Sequence, residues 1–208
     1  MELREKRDES VRRILEAAMS VFAEEGYSGA RVDEIAKRAG LNKAMIYYRI
    51  GDKLVLYTEV IHSLFGDIGS AIKGNIPADA TPEEKLKIYI RGLALTIADH
   101  PYLPGIMMRE LASGGGNISE LVAEDFASIL SIPANILTEG VNKGAFIKTN
   151  PVILHMMVVG FMMFFRTTEP VRKRYFERLP EDVRILNEKS ISEGVNEVER
   201  LVLRAIKA

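Results

Sequence analysis

The chain has 208 residues, of which 47% are hydrophobic and 27% charged, so its composition is that of a globular protein rather than a disordered one. It contains no cysteine, which excludes disulfide bonds, thiolate metal ligands and thiol nucleophiles. With 28 basic and 29 acidic residues the formal net charge is -1, so only the distribution of charge along the chain can indicate a nucleic-acid partner.

The sequence predicts neither an export signal nor a membrane span. The N-terminal stretch MELREKRDESVRR is densely charged and lacks the apolar core of a signal peptide. The most apolar run, residues 152–165, has 14 residues, whereas a bilayer requires roughly 18–20. We therefore expect a cytoplasmic protein without a membrane partner, in which this run forms a buried core helix.

Apolar residues recur three and four positions apart, which predicts helices almost throughout the chain. No stretch alternates with period two for long enough to predict a strand, so the expected fold class is all-α. Glycines, prolines and capping residues set the expected helix boundaries. The first helix is predicted to end at Gly26, the second to run from Val32 to Ala39, the third to begin after Asn42 and the fourth to be capped by Asp52. Six later helices are predicted: from Thr81-Pro82 to His100-Pro101, from Pro104 to Ala112, from Asn117 to Gly144, from Asn150-Pro151 onward, between Pro170 and Pro180, and over 182–206.

The second and third predicted helices are joined by Ala-Gly-Leu-Asn at 39–42, which is typical of a helix-turn-helix. Gly40 lets the chain reverse without a Cβ clash, and Ile46 is expected to anchor the third helix in the core. From Lys37 to Lys53 the chain has five basic residues and one acid, a local charge of +4. Such a local excess favours a surface that faces DNA phosphates.

The segment GARVDEIAKRAGLNKAMIYY at 29–48, followed by Gly-Asp-Lys at 51–53, resembles the DNA-binding domain of the TetR family of transcriptional regulators. The resemblance covers about residues 10–60, with its Ile-Ala, Ala-Gly, Tyr-Tyr and Lys elements at the family's spacing. The stretch GVNKGAF at 140–146, with Asn150-Pro151, is similar to the weaker pattern of the family's regulatory domain.

The resemblance implies an all-α protein with an N-terminal three-helix helix-turn-helix DNA-binding domain at residues 1–54 and a larger helical ligand-binding and dimerisation domain at 55–208. It further implies a ligand-responsive transcriptional regulator, by family default a repressor that a small, largely apolar effector releases from a palindromic operator. The expected partners are double-stranded operator DNA, the effector and a second copy of the chain. No cofactor and no enzymatic activity are expected.

The resemblance also assigns roles to single residues. The family often has threonine where Ala30 and Arg31 stand, so a contact from a hydroxyl to a phosphate is lost there, and Arg31 can replace it. Lys53, at the start of the fourth helix, can face a phosphate together with free backbone N–H groups. From the residues alone, Tyr47 can instead be a packing residue, Lys43 a solvated charge, and Arg49 either a phosphate contact or a solvated charge. The expected readers of base edges are Asn42, Lys43, Ala44 and Met45, and the expected phosphate contacts are Tyr47, Tyr48 and Lys53.

Six of the nine methionines lie between residues 107 and 163, and three phenylalanines follow one another closely at 161–165. Most of these side chains are expected in the core, but adaptable thioethers also suit pockets for apolar ligands, and the resemblance favours a pocket. The three histidines are isolated in sequence, so no metal site is predicted. The residues predicted to line the pocket are Tyr89, Met107, Met108, Met156, Met157, Phe161 and Phe164.

The last predicted helix carries an apolar stripe that can pack in the chain's own core or form half of a four-helix dimer interface. The resemblance favours the dimer, formed with the methionine-rich helix, and two-fold symmetry then predicts a palindromic operator. The stripe residues assigned to the interface are Ile191, Val195, Val198 and Val202.

Two other classes of protein stay open on the residues alone. An all-α enzyme would need a nucleophile elbow, a phosphate loop or paired carboxylates, and none is visible; the triple glycine at 114–116 has no strand before it and is interpreted as a connector. A protein-interaction module that retains the fold would bind DNA weakly and without sequence preference.

Overall fold

A computed structural model describes residues 2–178 and 191–208 of the chain. This part of the chain is helical and forms no strand beyond one isolated bridge between Phe146 and Lys207, which confirms the all-α prediction. The helices are α1 (Glu2–Gly29), α2 (Val32–Ala39), α3 (Lys43–Arg49), α4 (Lys53–Asn75), α5 (Pro82–Asp99), α6 (Leu103–Ala112), α7 (Glu120–Asn142), α8 (Pro151–Thr167), α9 (Glu169–Tyr175), a 3-10 turn (Phe176–Arg178) and α10 (Ile191–Ile206).

The boundaries of the first four helices follow from local chemistry, as the sequence predicts. The helical geometry of α1 breaks at Gly26, whose φ is 69°, and α2 ends at Gly40 in the left-handed conformation. The side chain of Asn42 caps α3, and that of Asp52 caps α4.

The start of α7 differs from the prediction. The sequence predicts Asn117 as its cap, but α7 begins at Glu120, and Ser119 Oγ accepts the N–H of Val122 at 3.4 Å. Asn117 instead donates its backbone N–H and its amide to the carboxylate of Glu110. Because a buried carboxylate is costly without donors, the contact with Glu110, seven residues away, takes precedence over the cap.

The described residues of 1–66 and 100–125 form one compact unit. In this unit α1 packs against α2 and α6. The backbones of α1 and α6 approach closely at Gly105, where a Cβ would lie 3.3 Å from the Ala23 carbonyl oxygen, and Arg109 donates to the same oxygen at 3.0 Å. Hence α6 belongs to the same unit as the helix-turn-helix.

A buried carboxylate ties α4 to α6 within this unit. The Tyr57 hydroxyl donates to Glu110 at 2.9 Å, and the backbone N–H of Asn117 donates to it at 2.8 Å. Burial, together with the hydrogen bond to Glu110, raises the pKa of Tyr57, so its hydroxyl remains a donor.

The described residues of 67–99 and 126–208 form the second unit, in which α5 packs against α8 and α10. The ring of Phe146 lies on Gly140, where a Cβ would stand 2.0 Å from it, so only glycine fits there. This packing gives a physical reason for the glycine and the aromatic residue of the 140–146 motif. Fully buried side chains of this unit include Leu86, Tyr89, Ile90, Val158 and Met162.

The apolar stripe of α10 faces the core of its own chain. Val195 and Val202 are only 3% and 4% exposed, and Val198 is half-buried. A side chain that its own chain already covers offers no contact area to a partner, so this burial contradicts the assignment of Val195 and Val202 to a dimer interface. The side chain of Ile191, the predicted helix start at 182–190 and Pro180 lie outside the described residues.

By length and hydropathy, α7 could cross a membrane, and so could α8 and α9 taken as one pair bent by 55°. Core helices of proteins without membrane segments pass the same test, so these helices are weak grounds for a span. The predicted core role of α8 is confirmed for one of its faces, on which Leu154, Val158 and Met162 are almost fully buried.

Candidate DNA-binding surface

The turn between α2 and α3 is held by a side chain of α1. The guanidinium of Arg13 donates to the Ala39 carbonyl at 2.5 Å and to the Gly40 carbonyl at 3.4 Å. Gly40 has a φ of 64°, a conformation that favours glycine, and a Cβ there would lie 2.5 Å from Arg13 Nη2, so a larger residue would also displace the guanidinium. A cation is also favoured here, because these carbonyls form the negative end of α2.

One side of α3 faces the core and the other faces solvent. Ile46 is fully buried, whereas Tyr47 is 47% and Tyr48 81% exposed. The side-chain oxygen of Asn42 accepts the N–H of Met45 at 2.8 Å, which fixes the start of the helix. Of the predicted base readers, Asn42, Lys43 and Ala44 are exposed and Met45 beside them is half-buried.

Acids from outside the 37–53 window neutralise part of its positive charge. Arg38 bonds Glu24 at 2.7 Å and Glu34 at 3.0 Å, and these hydrogen bonds raise its pKa. Lys43 lies 3.1 Å from Asp33. The surface therefore offers DNA less positive charge than the count of +4 along the sequence indicates.

Lys53 stands at the start of α4 as predicted, but its ammonium group is engaged within the chain. It donates to the Ala30 carbonyl at 3.0 Å and lies 4.5 Å from the ring centroid of Tyr27. The first-turn N–H groups of α4, expected to be free, donate to Asp52 at 2.9 and 3.0 Å, which contradicts a phosphate site built from them. A phosphate contact by the remaining donors of Lys53 stays a prediction.

Three other cations on this surface are available to an incoming acceptor. Arg31 and Lys37 are exposed and have no hydrogen-bond or ion-pair partner in the described parts of the chain. Arg49 lies 5.4 Å from the ring centroid of Tyr48, and its buried Nε has no partner among the described residues. Buried donors are seldom left unpaired, so an acceptor that reached Arg49 would satisfy it.

The sequence does not predict the contacts made by Arg13 and Asp33. Their partners lie on other helices, 26 positions away for Arg13 and 10 for Asp33. Neither separation matches a helical repeat, so no local signal marks these residues. Arg13 nevertheless contacts the turn before α3, and Asp33 contacts the first residue of α3.

Residues 14–60 match the family described as "Bacterial regulatory proteins, tetR family", and residues 79–198 match the "Tetracyclin repressor-like, C-terminal domain". The chain belongs to the TetR family. It is therefore a transcriptional regulator with an N-terminal helix-turn-helix DNA-binding domain and a helical C-terminal domain.

Named relatives agree with membership of the TetR family. The fatty acid metabolism regulator protein of Bacillus subtilis (strain 168) is 30% identical over 132 residues, 63% of this chain and 68% of that protein. The HTH-type transcriptional regulator RutR of Escherichia coli (strain K12) is 26% identical over 145 residues, 70% of this chain and 68% of that protein. The fold matches that of the transcriptional regulator FadR from Bacillus subtilis in complex with stearoyl-CoA, with a TM-score of 0.72 and 23% identity over 92% of this chain and 96% of that one.

The seven residues predicted to line an effector pocket of this TetR-family protein are divided between the two compact units. Met107 and Met108 are half-buried in the first compact unit, and the other five lie in the second. An exposed side chain does not line an enclosed cavity of its own chain. In the second unit Tyr89 is fully buried and Phe161 half-buried, but Met156, Met157 and Phe164 are 59%, 57% and 64% exposed.

Tyr89 forms a buried polar pair with a histidine of α8. Its hydroxyl oxygen lies 2.5 Å from Nδ1 of His155. The rings of Phe126 and His155 meet edge to face, with their centroids 5.6 Å apart. Burial lowers the pKa of His155 to about 4 and raises that of Tyr89. Both groups are therefore neutral at pH 7 and satisfy each other in the core.

The outer face of α8, by which we mean Ile153, Met156, Met157, Gly160 and Phe164, is exposed and lacks charge. These residues recur at helical spacing and form one stripe. Apart from the two chain neighbours of Gly160 and the backbone of α8 itself, no described residue has an atom within 4 Å of the position that a Cβ on Gly160 would take. An exposed apolar stripe with an open small residue is typical of a helix that packs against another helix.

A half-open groove of about 420 Å³ lies between α5, α10 and residues 145–146. It is lined by charged side chains that include Lys87, Glu199 and Arg204 and by the apolar side chains of Phe146 and Leu203, and by none of the seven predicted pocket residues. In the described parts of the chain no group of three or more histidine, aspartate and glutamate side chains could hold a metal ion.

Proposed function

We propose that this regulator is a homodimeric repressor that binds a palindromic operator through α3 and leaves it when an apolar effector binds to the domain after residue 54. The main support for the proposal is that the N-terminal end of α3 is exposed: Lys43 faces solvent, while Ile46, one turn later, is buried in the core. The N-terminal residues of a recognition helix approach base edges most closely, and α3 is held at a defined angle by the Arg13 clamp.

In this proposal Lys43 donates to the O6 and N7 acceptors of a guanine in the major groove. Asn42 contributes only its amide N–H groups, because its oxygen caps α3. Tyr48, which is the most exposed aromatic side chain of the surface, reaches a phosphate. The full set of proposed base readers is Asn42, Lys43, Ala44 and Met45, and the proposed phosphate contacts are Arg31, Tyr47, Tyr48, Lys53, Lys37 and Arg49.

We propose the outer face of α8 as the centre of the dimer contact, with the exposed Leu201 of α10 at its edge. Phe161 of α8 packs on Gly194 of α10, where a Cβ would lie 2.9 Å from the ring, so the two helices lie against each other. We propose that their exposed apolar side chains form one surface, on which a second copy would bury Met156, Met157 and Phe164.

The effector that we propose is a long-chain fatty acyl thioester of coenzyme A. Support comes from the relative named as a fatty acid metabolism regulator, and from the FadR neighbour with stearoyl-CoA bound. Met107 and Met108 of the first unit, and Tyr89 and Phe161 of the second, stay our proposed contacts of the effector, because methionine and aromatic side chains adapt to apolar chains. Met156, Met157 and Phe164 are reassigned to the dimer contact on account of their exposure.

Selection of bound duplexes from a random DNA library, with the purified full-length protein, tests the DNA-binding part of the proposal. We expect a palindrome whose half-sites are one helical turn or a multiple of it apart. A library that gains no sequence bias would reject specific DNA binding and leave the interaction module as the better interpretation.

Fluorescence anisotropy with the selected operator tests the effector. We expect stearoyl-CoA to release the labelled duplex, while coenzyme A without the acyl chain leaves it bound. Release by both compounds would show that the acyl chain is not recognised, and release by neither would reject the effector class.

We further propose that the protein works in the cytoplasm, has no enzymatic activity and divides its functions at residues 54 and 55. Chromatography of stearoyl-CoA recovered after long incubation with the protein tests the proposed lack of enzymatic activity. Recovery of the thioester unchanged is the expected result, and its hydrolysis would indicate the all-α enzyme.

A further inference from the structure

Lys43 is paired within the chain before DNA is present. Its Nζ lies 3.1 Å from one carboxylate oxygen of Asp33 and 3.2 Å from the other. The two side chains are 46% and 60% exposed, and neither has another partner in the described parts of the chain. The pair joins the first turn of α2 to the first turn of α3.

The backbone that carries Asp33 is anchored next to α3. Val32 and Ile35, its neighbours on α2, are buried in the core, and the turn that follows α2 is clamped by Arg13. The Lys43 ammonium, in contrast, is a point charge with three donors on a flexible stem of four carbons. A carboxylate on a short side chain of an anchored helix therefore limits where this longer, more flexible cation can go.

Phosphates surround a recognition helix in the major groove and attract any free ammonium without regard to sequence. A lysine that reads a base must resist this attraction. Because a carboxylate occupies part of its donor set and opposes its movement toward the anionic backbone, Lys43 keeps its other donors near the groove floor.

We propose that Asp33 is a positioning residue that determines specificity: it holds the Lys43 ammonium at the N-terminal end of α3, so that the lysine reads a base instead of the nearest phosphate. The inference rests on the proposed DNA-binding function. It adds a residue of α2 that acts through Lys43 and does not itself contact a base.

The substitution Asp33→Asn removes the charge and keeps the size of the side chain. We expect affinity for DNA of unrelated sequence to rise roughly 2- to 30-fold at low salt, the range that two exposed ion pairs per dimer are worth. The log–log salt dependence of binding should steepen by about 0.9 per subunit, because one more phosphate is neutralised. Selection from a random library should show a weaker preference at one position of each half-site, and Asp33→Glu should restore it.

Glu25→Gln is the matched control, since Glu25 is an exposed acid of α1 with no partner in the described chain. It removes the same charge and should leave the base preference unchanged. In a Lys43→Ala background, where the preference at that position is already lost, Asp33→Asn should change it no further. Thermal unfolding followed by circular dichroism confirms that each variant is folded.

The inference is overturned if Asp33→Asn keeps the wild-type preference, whether its affinity is unchanged or rises equally for operator and unrelated DNA. In that case Asp33 only repels the DNA backbone. If the wild-type protein itself selects no sequence, the proposed function fails and the inference with it. The two failures are thus distinguished by the wild-type selection.

Discussion

Single side chains hold the recognition surface in place from other helices. Arg13 of α1 clamps the carbonyls at the end of α2, Asp33 of α2 pairs with Lys43 of α3, and Lys53 of α4 donates to the carbonyl of Ala30. Each contact ties one helix of the DNA-binding region to the loop or helix next to it. The angle at which α3 is presented is thus a property of these contacts as well as of the apolar core.

The variant Arg13→Gln is expected to lower the free energy of unfolding by about 1 kcal/mol, below the usual range for charged hydrogen bonds because the side chain is partly exposed. Operator affinity should fall as well, since the turn sets the angle of α3. Arg12→Gln is the control, because the partners of the Arg12 guanidinium among the described side chains, Glu9 and Glu16, lie on its own helix. Urea denaturation and operator anisotropy measure both effects, and equal operator affinities of the two variants would contradict the clamp.

His155 should make the stability of the fold depend on acid pH. Burial lowers its pKa to about 4, below the value near 6.5 in an unfolded chain, so the fold requires the neutral ring. The resulting stability is complete above about pH 6.5 and is lost as the pH falls toward 4, by up to about 3 kcal/mol.

The variant His155→Gln keeps a hydrogen-bonding group for Tyr89 and removes the titration. Denaturation curves between pH 7 and pH 4 should therefore show a larger loss of stability in the wild-type protein than in the variant. Other titrating groups affect both proteins alike and cancel in the difference. Parallel curves over this range would contradict the role of His155.

At the scale of helices, the sequence was enough to predict where most helices begin and end. It was not enough to predict whether the apolar face of a helix packs in the chain's own core or stays exposed. Caps such as Asn42 and Asp52 act within three residues, so the sequence contains the whole signal. Whether an apolar stripe meets the chain's own core or a second copy depends on what packs against it. For α10 the chain itself covers Val195 and Val202, whereas for α8 it leaves one face open.

Paired substitutions on these two helices should have opposite outcomes. Met156→Glu with Phe164→Glu places charges on the exposed face of α8 and should yield folded monomers. Val195→Glu with Val202→Glu buries unpaired carboxylates in the core and should unfold the protein, at a cost of several kcal/mol. Sedimentation and circular dichroism distinguish a monomer from an unfolded chain. A dimer that persists in the α8 variant would remove this face from the interface.

At the scale of the whole molecule, operator binding and effector binding must affect each other equally. If stearoyl-CoA lowers operator affinity by a given factor, the operator lowers stearoyl-CoA affinity by the same factor, and typical couplings of 5- to 150-fold correspond to about 1–3 kcal/mol. Calorimetric titration of stearoyl-CoA into the free protein and into the operator complex measures the factor by which the operator lowers stearoyl-CoA affinity. Unequal factors would mean that release occurs by another route, such as loss of folded protein.

The sequence by itself determined the all-α class, the ends of most helices, the helix-turn-helix and membership of the TetR family. These depend on spacing of three or four residues, on caps, and on a motif contained in one continuous segment, so neighbours along the chain decide them. The tertiary structure alone decided that Asn117 serves Glu110 instead of capping α7, that Asp33 holds Lys43, and that the stripe of α10 faces inward. In each case the partner lies beyond the spacing of three or four residues that connects neighbours within one helix. Its identity is therefore decided only when separate helices pack together, because the free-energy costs of burying charge and of exposing apolar surface depend on the whole chain.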